Sequence, residues 1–224
     1  MKRILFITGT DTGAGKTVVT ALLAQWLRTR GIAVGAFKPL CSGGREDARI
    51  LRTAAGEGLS LDEINPWHFR AAIAPALAAK REGKTARLVE VRKHIVSAAK
   101  GFEVTLVEGA GGLMSPLGAD FDSRDLLLAL RAVPVIVAPN KLGVVNHVRL
   151  TLAALPVKVR ARSKVVLVTP ATADAATVSN AELLAEFFPA GNIFKLPWLG
   201  RGFSVEEALK RAPVEKMIKG LATA

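Results

Sequence analysis

The chain has 224 residues, half of them apolar and 22% charged, which is enough to bury a substantial core and too apolar for a disordered protein. A single cysteine, Cys41, excludes an internal disulfide framework and a cysteine-rich zinc site, and suits a reducing, cytoplasmic setting. The net charge of +12 raises the question of nucleic acid, but the basic residues are scattered, with one denser patch at Lys158, Arg160, Arg162 and Lys164, and tyrosine is absent. Clustered phosphate contacts and stacking platforms are therefore thin. No nucleic-acid partner is expected, and the charge is read as a field that gathers small anions.

Along the chain, only four apolar residues, Ile4 to Ile7, stand before Thr8 and Gly9. That is too short for the apolar region of a secretory signal, so residues 3–8 are expected to be a buried strand. A helix over 16–30 follows, ended by Gly31, then a strand over 33–37 and a helix over 47–55. Next come a helix over 88–100, a strand over 104–107 and a helix over 123–131 capped by Asp122 or Ser123. A strand over 133–138, a helix over 146–154, a strand over 164–169, a helix over 178–187 and a strand over 192–196 complete the alternation. The final helix is expected over 204–221, with Ser204 as its cap and Glu207 at the spacing of a capping box.

Each strand is a short continuous apolar run, the pattern of strands covered on both faces. Strands alternating with helices imply one α/β domain over residues 1–224, a doubly wound, mostly parallel sheet flanked by helices. The longest apolar stretch, 126–139, is interrupted by Arg131 and Pro134, so no membrane partner is expected. Ligands of such sheets sit at the carboxyl ends of the strands.

After the first strand stands Gly9-Thr10-Asp11-Thr12-Gly13-Ala14-Gly15-Lys16-Thr17. A phosphate loop needs small residues so that amides converge on an anion, a lysine for the terminal phosphates and a hydroxyl for magnesium. Gly13, Gly15, Lys16 and Thr17 supply those parts between an apolar strand and an apolar helix. The strict pattern wants glycine at position 10, where Thr10 stands; Gly9 is one residue early.

Gly9-Thr10-Asp11-Thr12, with Gly15-Lys16-Thr17, resembles the phosphate loop of dethiobiotin synthetases, which carry the same offset glycine. Four later blocks, in the family's order, are similar to it as well: Phe37-Lys38-Pro39-Leu40-Cys41-Ser42-Gly43, Val107-Glu108-Gly109-Ala110-Gly111-Gly112, Lys141-Leu142-Gly143-Val144-Val145-Asn146-His147 and Pro197-Trp198-Leu199. The resemblance implies a P-loop NTPase-like fold and an ATP-dependent ligase. Such an enzyme closes the ureido ring of dethiobiotin from 7,8-diaminopelargonate and carbon dioxide in biotin biosynthesis. Anionic oxygens accumulate at a carbamate and a γ-phosphate, which calls for fixed cations and N–H donors.

Carried onto this chain, the resemblance assigns catalysis to Lys16, Lys38, Thr12 and Ser42. Nucleotide contacts fall on Gly13, Ala14, Gly15, Lys16, Thr17, Val18, Glu108, Gly111, Thr169, Pro197, Trp198 and Leu199. Magnesium would be held by Thr17, Glu108 and Asp47, although Asp47 can equally be read as a helix cap. Thr12, Lys38 and Ser42 would also touch the substrate. Its carboxylate would meet Val144, Val145 and Asn146 at a helix start of the neighbouring subunit of a homodimer. Asn146 can also be read as a cap.

Two departures stand out. Gly13 occupies a position where many members carry glutamate, and Thr169-Pro170 stands where better-known members place an Asn-Asp pair that reads adenine. Triphosphate binding is expected to persist while the preference for ATP over other nucleoside triphosphates is left open. The rival readings are a partitioning or switch-type ATPase and a non-catalytic nucleotide-binding regulatory domain. The first usually carries a second lysine near the loop start, where this chain has Thr10 and Asp11. Cys41 reads as a packing residue, Trp26 as core, and His68, His94 and His147 show no metal-ligand spacing.

Overall fold

The computed structural model describes residues 3–223. Its strands are β1 (Arg3–Gly9), β2 (Val34–Phe37), β3 (Leu40–Ser42), β4 (Trp67–Phe69), β5 (Val104–Gly112), β6 (Val133–Pro139), β7 (Lys164–Val168) and β8 (Ile193–Leu196). The α-helices are α1 (Lys16–Arg28), α2 (Glu46–Ala55), α3 (Leu61–Ile64), α4 (Pro75–Arg81), α5 (Leu88–Ala98), α6 (Ser123–Ala129), α7 (Val144–Ala153), α8 (Val157–Arg160), α9 (Ala175–Ala185), α10 (Val205–Leu209) and α11 (Ala212–Ala222).

Six strands form one sheet in the order β2-β5-β1-β6-β7-β8, with every neighbouring pair parallel. Side chains alternate across it. Leu5, Ile7, Leu106, Val135 and Val137 meet α1, α2, α10 and α11 on one face. Phe6, Val107, Ile136, Val165 and Leu167 meet α4, α5, α6, α7 and α9 on the other. Helices on both faces explain why the strands read as unbroken apolar runs. The strand order reverses at β1, with β5 and β2 to one side and β6, β7 and β8 to the other. At such a reversal neighbouring loops part, and a crevice opens beyond the carboxyl end of the strand. The glycine-rich loop stands there.

The doubly wound parallel sheet is as expected, and several local features differ. A second sheet pairs β3 with β4 in parallel, Leu40 opposite Trp67 and Ser42 opposite Phe69. Three-residue strands carry no usable periodicity, so neither was anticipated. β5 runs on to Gly112, so the acidic segment 108–112 is strand rather than turn. The expected last helix is two, α10 and α11, because Pro213 lacks an amide hydrogen and its ring excludes a helical turn before it. The Ser204 hydroxyl does accept from the Glu207 amide at 3.3 Å. Asp122, not Ser123, caps α6. α9 starts at Ala175, earlier than residue 178, because Asp174 caps it by accepting from the Thr177 amide at 2.7 Å. α7 begins at Val144 with Gly143 as its cap residue, so Asn146 lies inside the helix and is no cap.

Candidate active site

The loop after β1 owes its shape to three glycines, for two different reasons. Gly13 and Gly15 adopt φ of 73° and 96°, the left-handed region that penalises a Cβ. Gly9 is constrained by space: a Cβ there would stand 2.7 Å from the Asp11 carbonyl oxygen and 3.0 Å from Lys16 Nζ. The Lys16 side chain folds back through that space and donates to the Asp11 carbonyl at 3.0 Å. The glycine that looked one residue early therefore makes room for the loop's own lysine. A Cβ on Gly15 would stand 3.2 Å from the Val168 side chain, so the loop leans on the end of β7.

Next to the loop, three charged residues from three elements meet. Lys38 follows β2, is 4% exposed, and uses all three ammonium protons. It donates to Glu108 Oε1 at 2.7 Å, to Asp47 Oδ2 at 2.9 Å and to the Gly109 carbonyl at 3.2 Å. The Thr17 hydroxyl donates to the same Glu108 oxygen at 2.8 Å. Glu108 is fully buried, and its second oxygen, Oε2, has no hydrogen-bond partner among the described residues. Asp47 is the second residue of α2, whose cap position is Arg45, so its carboxylate reaches inward as an ion-pair partner rather than capping the helix.

The electrostatics follow from that crowding. Burial, and then the neighbouring Lys38 charge, lower the Lys16 pKa. Burial alone would lower Lys38 too, but the Glu108 and Asp47 carboxylates outweigh it and hold that ammonium raised. For Asp47, burial works upward and the Lys38 charge and hydrogen bond outweigh it, leaving the carboxyl below its usual range. A hydroxyl, two carboxylates and a buried carboxylate oxygen lacking a donor form a hard-oxygen set of the kind magnesium takes.

Thr17, Lys38 and Asp47 border a cleft of about 860 Å³ lined by Thr12 to Val18, Lys38, Cys41, Ser42, Asp47, Ala110, Gly111 and Ser115, among others, while Glu108 lies buried behind them, outside its lining. Thr12 is exposed there, with its amide donating to the Asp11 carboxylate at 2.7 Å. Ser42 lines the cleft and its hydroxyl donates to the Ile73 carbonyl, a bond it would have to exchange to donate to a ligand. Gly111 has φ of 67°. A Cβ there would fall 2.4 Å from Ser115 Oγ and 3.8 Å from Thr12 Oγ1. The opposite wall, Ala72 to Pro75, escaped sequence reasoning because small residues before a short helix carry no chemical signature. Burial pushes the Cys41 thiol up, which argues against a nucleophilic thiolate and for packing.

The remaining sequence candidates lie outside this cleft's lining. Val144 is 2% exposed and packed in the chain's own core, and its amide donates to the Lys141 carbonyl at 3.1 Å. Val145 is half-buried and Asn146 exposed on the first turn of α7, where amides have no intrahelical partner. The Thr169 amide donates to the Leu196 carbonyl at 2.8 Å, and Pro170 has no amide hydrogen. Half-buried Pro197, half-exposed Trp198 and buried Leu199 follow β8.

A protein-family model described as an AAA domain matches residues 3–201. The ATP-dependent dethiobiotin synthetase of Methanococcus vannielii is 38% identical over 149 residues, covering 66% of this chain and 71% of that protein. The enzyme of the same description from Bacillus subtilis is 39% identical over 155 residues, 67% of each chain. Among solved structures, a ParA family ATPase from Chlorobium tepidum superposes with a TM-score of 0.60 at 15% identity, covering 100% of this chain and 99% of that one. The hydrogenase maturation factor HypB from Archaeoglobus fulgidus gives 0.53 at 17%, covering 92% and 86%. At these identities the structural matches speak to the fold alone.

Proposed function

This chain belongs to the dethiobiotin synthetase family, and we propose that it closes the ureido ring of dethiobiotin from 7,8-diaminopelargonate, carbon dioxide and a nucleoside triphosphate. One amine adds to carbon dioxide and loses a proton, giving a carbamate. The γ-phosphoryl group passes to a carbamate oxygen, leaving the nucleoside diphosphate. The second amine then attacks the carbonyl carbon and expels phosphate.

The observation that carries this reading is the meeting of Lys16 at the start of α1, Lys38 just after β2 and Glu108 within β5, beside one cleft. Loop amides 13–18 would cradle the phosphates, with Lys16 leaving the Asp11 carbonyl for the β- and γ-phosphates. Lys38 would steady the carbamate and its phosphorylated form, with Thr12 and Ser42 contacting the same groups. Gly111 and Ala110 would bound the cavity opposite Thr12. Thr17, Asp47 and Glu108 would hold a magnesium ion, which when bound neutralises phosphate charge. The orphaned Oε2 of Glu108 supports that assignment.

Two further parts complete the proposal. The substrate carboxylate would bind at the start of α7, contributed by a second subunit, on the first-turn amides of Val145 and Asn146 beside Val144, whose own amide is bonded to the Lys141 carbonyl. The absence of these residues from the cleft lining of one chain favours a homodimer. The base would lie along Thr169 and Pro197 to Leu199. There the Thr169 amide is already bonded and Pro170 has none, so few groups remain to read a base edge.

The test is mass detection of dethiobiotin from diaminopelargonate, bicarbonate and ATP. Lys16→Gln and Lys38→Gln each remove charge-assisted bonds worth about 1.5–3 kcal/mol, so turnover should fall by about tenfold to over a hundredfold. Unchanged turnover in either variant removes that lysine from the mechanism, and absence of product in the wild type removes the reaction.

A further inference from the structure

Asn65 sits between α3 and β4, directly before Pro66, and as sequence it reads only as a turn residue. The structure gives it a different standing. It is 1% exposed, yet its side chain spends both ends on the segment that carries the charged cluster. Its Nδ2 donates to the Lys38 carbonyl at 2.7 Å. Its Oδ1 accepts from Arg45 Nε at 3.1 Å and from the Cys41 thiol at 3.1 Å. Arg45 in turn donates to the Asn65 and Leu61 carbonyls at 2.9 and 2.8 Å, and it is the cap residue of α2. Asp47 stands two residues beyond it. Backbone bonds from Lys38 to Ile64 and from Trp67 to Pro39 hold the two strips together on either side.

One buried amide thus grips the backbone that bears the Lys38 ammonium and the guanidinium that opens the helix bearing Asp47. The two charged groups are 2.9 Å apart, and neither is held there by β2 itself, which ends at Phe37. We infer that Asn65 is a positioning residue of the ligase, fixing Lys38 and Asp47 relative to each other through the Lys38 carbonyl and the Arg45 guanidinium. It rests on the reading of Lys38 as a group at the reacting carbamate. Asn65 is not itself among the residues that line the cleft; it acts by removing freedom from a lysine whose carbonyl would otherwise be a buried acceptor without a donor.

Asn65→Asp is the deciding variant. It keeps the shape and both acceptor contacts, to Arg45 and Cys41, and replaces the donor to the Lys38 carbonyl with an oxygen that repels it, the added charge lying against the Arg45 guanidinium; Asn65→Ala removes all three contacts without adding charge. Turnover per nucleotide-binding site should fall about tenfold in Asn65→Asp and further in Asn65→Ala. In a Lys38→Gln background the same Asn65→Asp change should cost less than about twofold, because residues acting through one another are not additive. A merely structural asparagine would lose the same factor in both backgrounds, and that outcome overturns the inference, as does wild-type turnover in Asn65→Asp. A wild-type chain that makes no dethiobiotin overturns the proposed reaction and this inference together, whereas additive losses in an active enzyme overturn this inference alone.

Discussion

Lys38 and Glu108 define what single residues contribute here. A carboxylate at 0% exposure survives only with a cation against it, and the Lys38 ammonium fills that need at 2.7 Å. Lys38→Gln leaves Glu108 buried without its counter-charge and should destabilise the fold by about 3 kcal/mol. Millimolar Mg²⁺ should then raise the melting temperature of Lys38→Gln more than that of the wild type, because the vacated carboxylates are offered to the ion without competition from an ammonium. Thermal melts with and without Mg²⁺ check this. Equal shifts in both proteins would move the metal away from Asp47 and Glu108.

At the scale of elements, the site depends on how helices and loops are started. α6 backs the glycine-rich end of β5: a Cβ on Gly109 would stand 3.2 Å from Ser123 Oγ at the helix's first residue. Its start is fixed by a reciprocal cap, with the Asp122 carboxylate accepting from the Asp125 amide at 2.9 Å and Asp125 accepting from the Asp122 amide at 3.1 Å. Asp122→Ala should therefore cost about 1 kcal/mol in denaturant unfolding, with turnover changed by less than about twofold. A loss near zero would mean that tertiary packing alone sets where α6 begins. The loop after β1 works on the same scale: its register shift against β5 between Ile7 and Gly9 lets Lys16 turn back over the strand end.

For the whole molecule, the reversal of strand order at β1 decides where everything else converges. The carboxyl-terminal parts of β1, β2 and β5 and the segments that follow them reach one crevice because these strands are neighbours in space, although residues 9, 38 and 108 are far apart in the chain. On the proposed reading the base lies along β7 and β8 at the other end of the sheet, where the Thr169 amide is engaged by Leu196. If the loop grips the phosphates and few groups are left to read the base edge, ATP, GTP, CTP and UTP should support turnover with specificity constants within about tenfold of one another. Parallel assays with the four triphosphates test this, and a hundredfold preference for ATP would reveal a base-reading group elsewhere.

The amino-acid order alone carried the parallel sheet, the phosphate loop and the lysine and glutamate beside it. Continuous apolar strands, and glycines at fixed offsets from a lysine, are local patterns with few physical solutions. Folding decided the rest, because it concerns contacts between distant segments. Sequence left Asp47 as a metal ligand or a cap of α2, since both need a carboxylate at a helix start; the cap position at Arg45 and the 2.9 Å contact with Lys38 remove the cap. That Val144 is buried at the start of α7 was likewise decided by packing, since a valine beside a glycine fits a core position and a loop alike. Asn65 carried no functional signal in the sequence because its partners, Lys38 and Arg45, lie 27 and 20 residues away, beyond the reach of any local pattern.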